Sequence, residues 1–113
     1  MRVYLDDLRD PPDESWTIAR TFDEFRELVD SGEPIEAISF DNDLGEGEME
    51  GYDILKWLAE HKPELLVGEQ DIEFHSANPT AVKNMEAFLK TCRDHREDLL
   101  EQKNRPQPFG EKE

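Results

Sequence analysis

Carboxylate side chains follow two apolar, strand-like segments of the sequence at the point where each segment ends. Asp6 and Asp7 come directly after the first such segment. Asp41 follows a later segment in the same way, and Asp43 lies two positions further on. Like charges that are brought together usually need a cation, and Mg²⁺ prefers oxygen ligands while leaving positions open for phosphate oxygens. These four acids therefore predict a divalent-cation site, with solvated loop acids or an acidic pocket without a metal as the alternatives.

Side chains suited to a phosphate group follow another strand-like segment. The hydroxyl of Ser76 could hold a phosphoryl oxygen beside the N-terminus of the next helix, although Ser76 and Asn78 could also act only as helix caps. His75 has three interpretations: a general acid or base, a phosphate-binding donor, or a packed aromatic ring. Arg9 is expected either to clamp a phosphate through two N–H groups or to pair with a neighbouring acid.

Hydrophobic patterning predicts the elements that would bring these side chains together. Four β-prone segments are interleaved with segments that have an apolar helical face. The predicted strands are residues 2–5, 16–20, 35–40 and 71–74, and the predicted helices begin after Thr21, at about Gly51 and after Asn78. This order is typical of a parallel sheet with crossover helices on both faces, whose sites lie where the first and third strands end. We therefore expect a small three-layer, flavodoxin-like α/β domain with strand order 2-1-3-4 and a long C-terminal helix.

The chain has 113 residues, which is enough for one domain and too few for a second core. We expect the domain to occupy residues 1–103 and residues 104–113 to be a disordered tail, because that segment is polar and contains two prolines. The net charge of −16 disfavours broad binding to nucleic acid or anionic lipid. No apolar run approaches the roughly 20 residues of a membrane span. The acidic start and the single cysteine predict a cytoplasmic location.

Taken together, these motifs resemble a known family. The acidic pair after the first strand, the aspartate after the third and the serine after the fourth resemble a response-regulator receiver domain over roughly residues 2–92. The closer similarity is to a divergent branch of that superfamily, the cyclic-phosphate processing receiver-like domain. The segments that carry the similarity are Leu5-Asp6-Asp7-Leu8-Arg9, Trp16-Thr17, Ser39-Phe40-Asp41-Asn42-Asp43-Leu44-Gly45, Gly51-Tyr52-Asp53 and His75-Ser76-Ala77-Asn78-Pro79.

The resemblance implies a Mg²⁺- or Mn²⁺-dependent phosphoesterase that processes the cyclic phosphate of a nucleotide or an RNA end, a role inferred for this branch in bacterial and phage conflict systems. It implies Asp43 as a further metal ligand or the general base, and His75 as the proton donor to the leaving oxygen. The implied residues are Asp6, Asp7 and Asp41 as metal ligands, Asp41, Asp43 and His75 as catalytic groups, and Arg9, Ser76 and Asn78 as phosphate-binding groups.

The sequence departs from an ordinary receiver in its C-terminal part. Such a receiver has a fifth strand that ends in a lysine contacting the phosphoryl group, whereas residues 93–113 are too polar for a strand and Lys83 is a poor substitute. The missing lysine argues against ordinary phosphorelay signalling. The alternatives to an enzyme are a module that binds a cyclic nucleotide without cleaving it, a pseudo-receiver that signals through protein contacts, and an acidic mimic of DNA. A homodimer through a helix face, such as one carrying Trp57, is a further expectation.

Overall fold

The computed structural model describes residues 1–45 and 47–104, which fold into four strands and five helices. The strands are β1 (Arg2–Leu5), β2 (Trp16–Ala19), β3 (Ala37–Phe40) and β4 (Asp71–Phe74). The helices are α1 (Phe22–Asp30), α2 (Gly51–His61), α3 (Glu64–Val67), α4 (Pro79–Asp94) and α5 (Arg96–Asn104). Within the described ranges, none of these helices has the length and apolar character that crossing a membrane requires.

The four strands form one parallel sheet in the order β2-β1-β3-β4, as the sequence predicts. Leu5 lies opposite both Ala19 and Phe40, and Phe40 lies opposite Phe74. Because all four strands run in the same direction in this register, their carboxyl ends meet at one edge of the sheet. The chain leaves β1 toward one side and β3 toward the other, so a crevice opens between the ends of these two strands.

The main hydrophobic core lies on one face of the sheet. Alternate strand residues, among them Leu5, Ile38 and Phe40, are fully buried there. The buried apolar side chains of α1, α2, α3 and α4 belong to the same cluster, and the ring of Phe25 in α1 packs 5.8 Å from the ring of Phe40. The last helix, α5, packs against α2 and α4. All the described helices therefore form one layer.

The expectation of helices on both faces of the sheet is wrong for the described part of the chain. Tyr4, Trp16 and Ala37 lie on the opposite face and form a separate small cluster that contains no helical residue. Arg2 covers this cluster, with its guanidinium 4.3 Å from the centre of the Trp16 ring. The connection from β1 to β2, residues 6–15, contains two prolines and forms no helix, so no crossover helix covers this face of the sheet. The domain thus has two layers instead of three.

The C-terminal part of the domain also differs from the single long helix that the sequence predicts. α4 ends at Asp94, and α5 begins at Arg96 after the non-helical residue His95. Leu99 and Leu100 of α5 are partly buried against the core. No fifth strand is present within residues 1–45 and 47–104. The predicted tail begins at the last residue of α5, and its residues 105–113 lie outside the described residues.

The short helix α3 lies between the second predicted helix and the fourth predicted strand, where the hydrophobic pattern predicts no helix or strand. Pro63 adopts helical dihedral angles immediately before it, and Leu66 and Val67 are buried against the core. Four residues are too few to show a helical period, so only the packed structure identifies this turn.

Gly51 allows the first turn of α2 to lie directly against the chain that follows β3. Its N–H donates to the carbonyl oxygen of Asn42 at 2.7 Å. A Cβ atom at this position would lie 2.9 Å from the Cα of Asn42 and would overlap the carbonyl oxygen of Asp41. This close approach of two backbones requires glycine and fixes the position of Asp41.

Gly51→Ala is expected to lower the free energy of unfolding by about 1–3 kcal/mol, because the neighbouring backbone cannot move aside as a flexible side chain could. Urea denaturation followed by circular dichroism measures this change. The matched control is Glu50→Ala, since Glu50 precedes α2 without a side-chain capping bond and should change the value by less than about 0.5 kcal/mol. Equal stabilities of the wild type and Gly51→Ala would contradict the close approach.

Candidate functional site

Three ionisable side chains converge where β1, β3 and β4 end, and we call them the strand-end cluster. Asp6 follows β1, Asp41 follows β3 and His75 follows β4. One potential ligand atom from each residue lies within 4.8 Å of the other two. Asp6 is 1% exposed and Asp41 is 5% exposed, so both carboxylates are buried, which is rare for an acidic side chain without partners.

Asp6 is held in place by four donors. Its Oδ1 accepts the backbone N–H groups of Leu8 at 2.9 Å and Arg9 at 2.8 Å. Its Oδ2 lies 2.9 Å from Nε2 of His75 and 3.2 Å from Nε of Arg9. Burial opposes the ionisation of this carboxyl, but the hydrogen bonds outweigh burial and lower the pKa of Asp6 below its ordinary value. Asp6 is therefore a well-compensated anion at neutral pH.

Asp41 has fewer donors than Asp6. Its Oδ1 accepts the N–H of Asn42 at 2.8 Å and lies 3.5 Å from Nη2 of Arg9. Burial raises the pKa of Asp41, and the charge of Asp6 raises it further, although the Asn42 N–H and Arg9 act in the opposite direction. The negative charge of Asp41 is thus the one in the cluster that an added cation would stabilise most.

Arg9 connects the members of the strand-end cluster. Besides its contacts with the two carboxylates, its Nη1 donates to the backbone carbonyl of His75 at 3.1 Å. Arg20 holds the backbone of the loop that follows β1, because its Nη1 donates to the carbonyl oxygens of Arg9 at 2.7 Å and of Asp6 at 3.1 Å. Of the two roles predicted for Arg9, the structure therefore shows pairing with neighbouring acids.

His75 lies on the face of the sheet that carries no helix. Its ring stacks on the ring of Tyr4 with 4.4 Å between their centres, and its Nδ1 lies 2.7 Å from Oγ of Ser39. If Nε2 of the neutral ring donates to Asp6, Nδ1 must accept, and the Ser39 hydroxyl is then its donor. Sequence reasoning missed Ser39 as a supporting residue. Its only signal was a polar side chain within an apolar strand.

The strand-end cluster opens into a cleft of about 410 Å³. Asp7 and Asp43 lie on the wall of this cleft, outside the close group of three. Asp43 is exposed, and its Oδ1 accepts the N–H of Gly45 at 3.1 Å. The structure thus brings every predicted site residue except His75 to the cleft surface, which is lined by Asp6, Asp7, Leu8, Arg9, Asp41, Asp43, Ser76, Ala77 and Asn78.

Ser76 and Asn78 lie where α4 begins. The side-chain oxygen of Asn78 accepts the N–H groups of Thr80 at 3.1 Å and Ala81 at 3.2 Å, so Asn78 is the N-cap of this helix. Oγ of Ser76 accepts the N–H of Asn78 at 3.1 Å. In the part of the chain that the structure describes, no group accepts the hydroxyl proton of Ser76, which leaves this donor for a ligand in the cleft.

Residues 1–91 match the family described as the cyclic-phosphate processing receiver domain. The chain belongs to this family. The matched range includes the whole strand-end cluster and every residue that lines the cleft. It confirms the resemblance inferred from the sequence motifs. No curated protein and no solved structure is significantly similar to the chain.

The donor atoms in this receiver domain suit a hard divalent cation. Asp6 and Asp41, with Asp7 and Asp43 on the cleft wall, supply carboxylate oxygens, which are the ligands that Mg²⁺ and Mn²⁺ prefer. Such an ion would stabilise the negative charge of Asp41 most, because Asp41 has fewer hydrogen-bond donors than Asp6. Arg9 occupies the position between the two buried carboxylates, so the residues fit a cation once this guanidinium moves aside.

The receiver domain should respond in opposite directions to the loss of its two buried charges. Asp41→Asn removes a carboxylate whose ionisation burial disfavours, so we expect the free energy of unfolding at pH 7 to rise by more than about 0.5 kcal/mol. Asp6→Asn should lower it by about 2 kcal/mol, because the charge-assisted bonds from Arg9 and His75 are lost. Urea denaturation of the three proteins measures both changes.

The stabilisation by Asp41→Asn should disappear as the pH falls. Because the pKa of Asp41 is raised in the folded state, the cost of its charge is present above that pKa and is absent below the ordinary value of about 3.9. For Asp6 the pKa is lowered, so its stabilisation is complete above the ordinary value and is lost as the pH falls through the folded-state value. A constant difference between wild type and Asp41→Asn from pH 7 to pH 4 would contradict this account of Asp41.

Proposed function

We propose that this receiver domain hydrolyses a cyclic phosphodiester, the 2′,3′-cyclic phosphate of a nucleotide or an RNA end, with Mg²⁺ or Mn²⁺ as cofactor. The observation that carries the proposal is the convergence of the buried carboxylates of Asp6 and Asp41 with Arg9 and Ser76 in one cleft. Carboxylates beside cationic and hydroxyl donors suit a phosphate that is bound through a metal ion. The family description supports cyclic phosphates as the ligand class.

The metal ion would be held by Asp6, Asp7 and Asp41. When bound, it would neutralise phosphate charge and lower the pKa of a water molecule. Asp43 is suited to act as the general base. Its carboxylate is exposed on the cleft wall, and one N–H group, that of Gly45, donates to Oδ1, so the other oxygen can take a proton from the attacking water.

Arg9 and Ser76 would hold the phosphate. The guanidinium offers parallel N–H groups to two phosphate oxygens, and the Ser76 hydroxyl has a proton to donate. Asn78 would position α4 instead of touching the ligand, because its side-chain oxygen already accepts two backbone N–H groups. In the reaction the oxygen of a water molecule bonds to phosphorus and one ring P–O bond breaks. The product is a ring-opened phosphomonoester whose leaving oxygen has gained a proton.

His75 would position Asp6 in this mechanism. Its Nε2 contacts Asp6 and its Nδ1 contacts Ser39, so proton donation to the leaving oxygen would require the ring to abandon its stack on Tyr4. Solvent can protonate the leaving oxygen instead, because the cleft is open and Leu8 at its rim is 83% exposed.

The second candidate is a module that binds a cyclic phosphate without cleaving it. The observation that favours it is that both ring nitrogens of His75 are engaged within the protein, which leaves this histidine no free nitrogen to protonate the leaving oxygen. Phosphorelay signalling through Asp41 has less support, because no lysine lines the cleft within the described ranges.

We expect the wild-type domain, incubated with Mg²⁺ and a 2′,3′-cyclic nucleotide, to convert the cyclic phosphate into a monoester. Phosphorus NMR measures the rate of this conversion. Asp41→Asn should reduce the rate at least about 100-fold, because the cation loses its main ligand. The matched control is Asp30→Asn, which removes one carboxylate that pairs with His61 in a surface contact at 3.0 Å and should keep the wild-type rate.

Two other outcomes would change the assignment. If the phosphorus resonance of the cyclic nucleotide shifts in proportion to the fraction of nucleotide bound, and no monoester forms, the binding module is favoured over the enzyme. A wild-type rate in Asp41→Asn would reject the strand-end cluster as the reaction site.

A further inference from the structure

Arg9 lies between the two buried carboxylates of the strand-end cluster. Its Nε is 3.2 Å from Oδ2 of Asp6, and its Nη2 is 3.5 Å from Oδ1 of Asp41. Among the residues whose side chains the structure describes, no other arginine or lysine contacts either carboxylate. Two carboxylates buried side by side repel each other strongly in a medium of low dielectric constant, so this guanidinium is the cation that makes the arrangement stable in the domain as described.

The side chain of Arg9 is held less tightly than its backbone. Its N–H donates to Asp6, and its carbonyl oxygen accepts from Arg20 at 2.7 Å, so the loop is fixed. The side chain is 48% exposed, and its distances to the carboxylates exceed the roughly 2.7–2.9 Å of a strong charge-assisted bond. Release of the guanidinium would break these two contacts and the hydrogen bond from Nη1 to the His75 carbonyl at 3.1 Å, and it would leave the loop backbone in place.

We propose that Arg9 is an exchangeable counter-ion: its guanidinium neutralises Asp6 and Asp41 in the metal-free domain and moves to the phosphate when a divalent cation takes those carboxylates. The inference rests on the proposed function, from which it takes the metal and the phosphate. A guanidinium and a divalent cation cannot occupy the same position between the two carboxylates, because they repel each other there. The displaced side chain remains in the cleft beside Ser76, where a phosphate would meet it.

Exchange links the two ligands energetically. In the free domain the divalent cation must displace Arg9, which weakens its binding. A phosphate gives the displaced guanidinium a new partner, which strengthens the binding of the cation. By reciprocity the cation strengthens phosphate binding by the same factor. Direct attraction between cation and phosphate also couples them, and that part does not depend on Arg9.

Calorimetric titration of Mg²⁺, with and without inorganic phosphate, tests the exchange. Arg9→Ala should bind Mg²⁺ at least about fivefold more tightly than the wild type without phosphate, and phosphate should increase its affinity by a smaller factor than in the wild type. Arg26→Ala is the matched control, since it removes the same charge from a surface pair with Asp23 at 3.5 Å and should leave both quantities unchanged. For Arg9→Lys, both the Mg²⁺ affinity and its increase by phosphate should lie between those of the wild type and Arg9→Ala. The ammonium of lysine neutralises charge but lacks the planar guanidinium that binds two oxygens at once.

Equal or weaker Mg²⁺ binding by Arg9→Ala would overturn the proposal, and so would the absence of Mg²⁺ binding in both proteins. If circular dichroism shows that Arg9→Ala does not fold, Arg9→Gln replaces it, because glutamine keeps N–H donors without the charge, and the same outcomes apply. A domain that shows the Arg9 pattern but leaves a 2′,3′-cyclic nucleotide intact would retain the exchange and reject hydrolysis. Hydrolysis of the nucleotide by a domain in which Arg9→Ala does not tighten Mg²⁺ binding would retain the proposed function and reject the exchange.

Discussion

Two carboxylates buried at the end of one parallel sheet impose the constraint on which the site depends. The buried carboxylate of Asp6 is stabilised by two backbone N–H groups, an imidazole and a guanidinium, and its pKa is lowered below the ordinary value. Asp41 receives fewer donors, and burial raises its pKa. This inequality separates the roles of the two aspartates. Asp6 organises the loop after β1 and anchors Arg9, whereas Asp41 carries the charge that a metal ion would stabilise.

The missing helical layer explains why a histidine takes part in this arrangement. The connection between β1 and β2 forms no helix, so one face of the sheet is covered by side chains instead. The ring of His75 stacks on Tyr4 and closes over Ser39, and the same ring reaches Asp6 through its second nitrogen. A residue that covers the sheet therefore also fixes a carboxylate of the site. Packing on the helix-free face and chemistry in the cleft are coupled through one side chain.

The parts of the fold and site that depend on short-range sequence signals could be predicted. Asp6 and Asp41 directly follow apolar strands, and the parallel sheet places those strand ends together. The support of His75 by Ser39 could not be predicted, because it depends on the register between β3 and β4. The sequence pattern also does not predict the helix-free face or the break between α4 and α5 at His95. Pairing with acids is one of the two roles that the sequence predicts for Arg9, and only the folded structure shows that its guanidinium contacts both carboxylates.

Electron paramagnetic resonance of Mn²⁺ can show whether the buried aspartates hold a cation, because the six-line signal of the aqueous ion is lost when the ion binds to protein. We predict that the wild-type domain removes this signal, and that a 2′,3′-cyclic nucleotide then adds a magnetic coupling between the bound Mn²⁺ and the phosphorus nucleus. Asp41→Asn should leave the aqueous signal unchanged at the same protein concentration. Loss of the signal in Asp41→Asn to the same extent as in the wild type, or an unchanged aqueous signal in the wild type, would contradict the claim that the buried aspartates hold the ion.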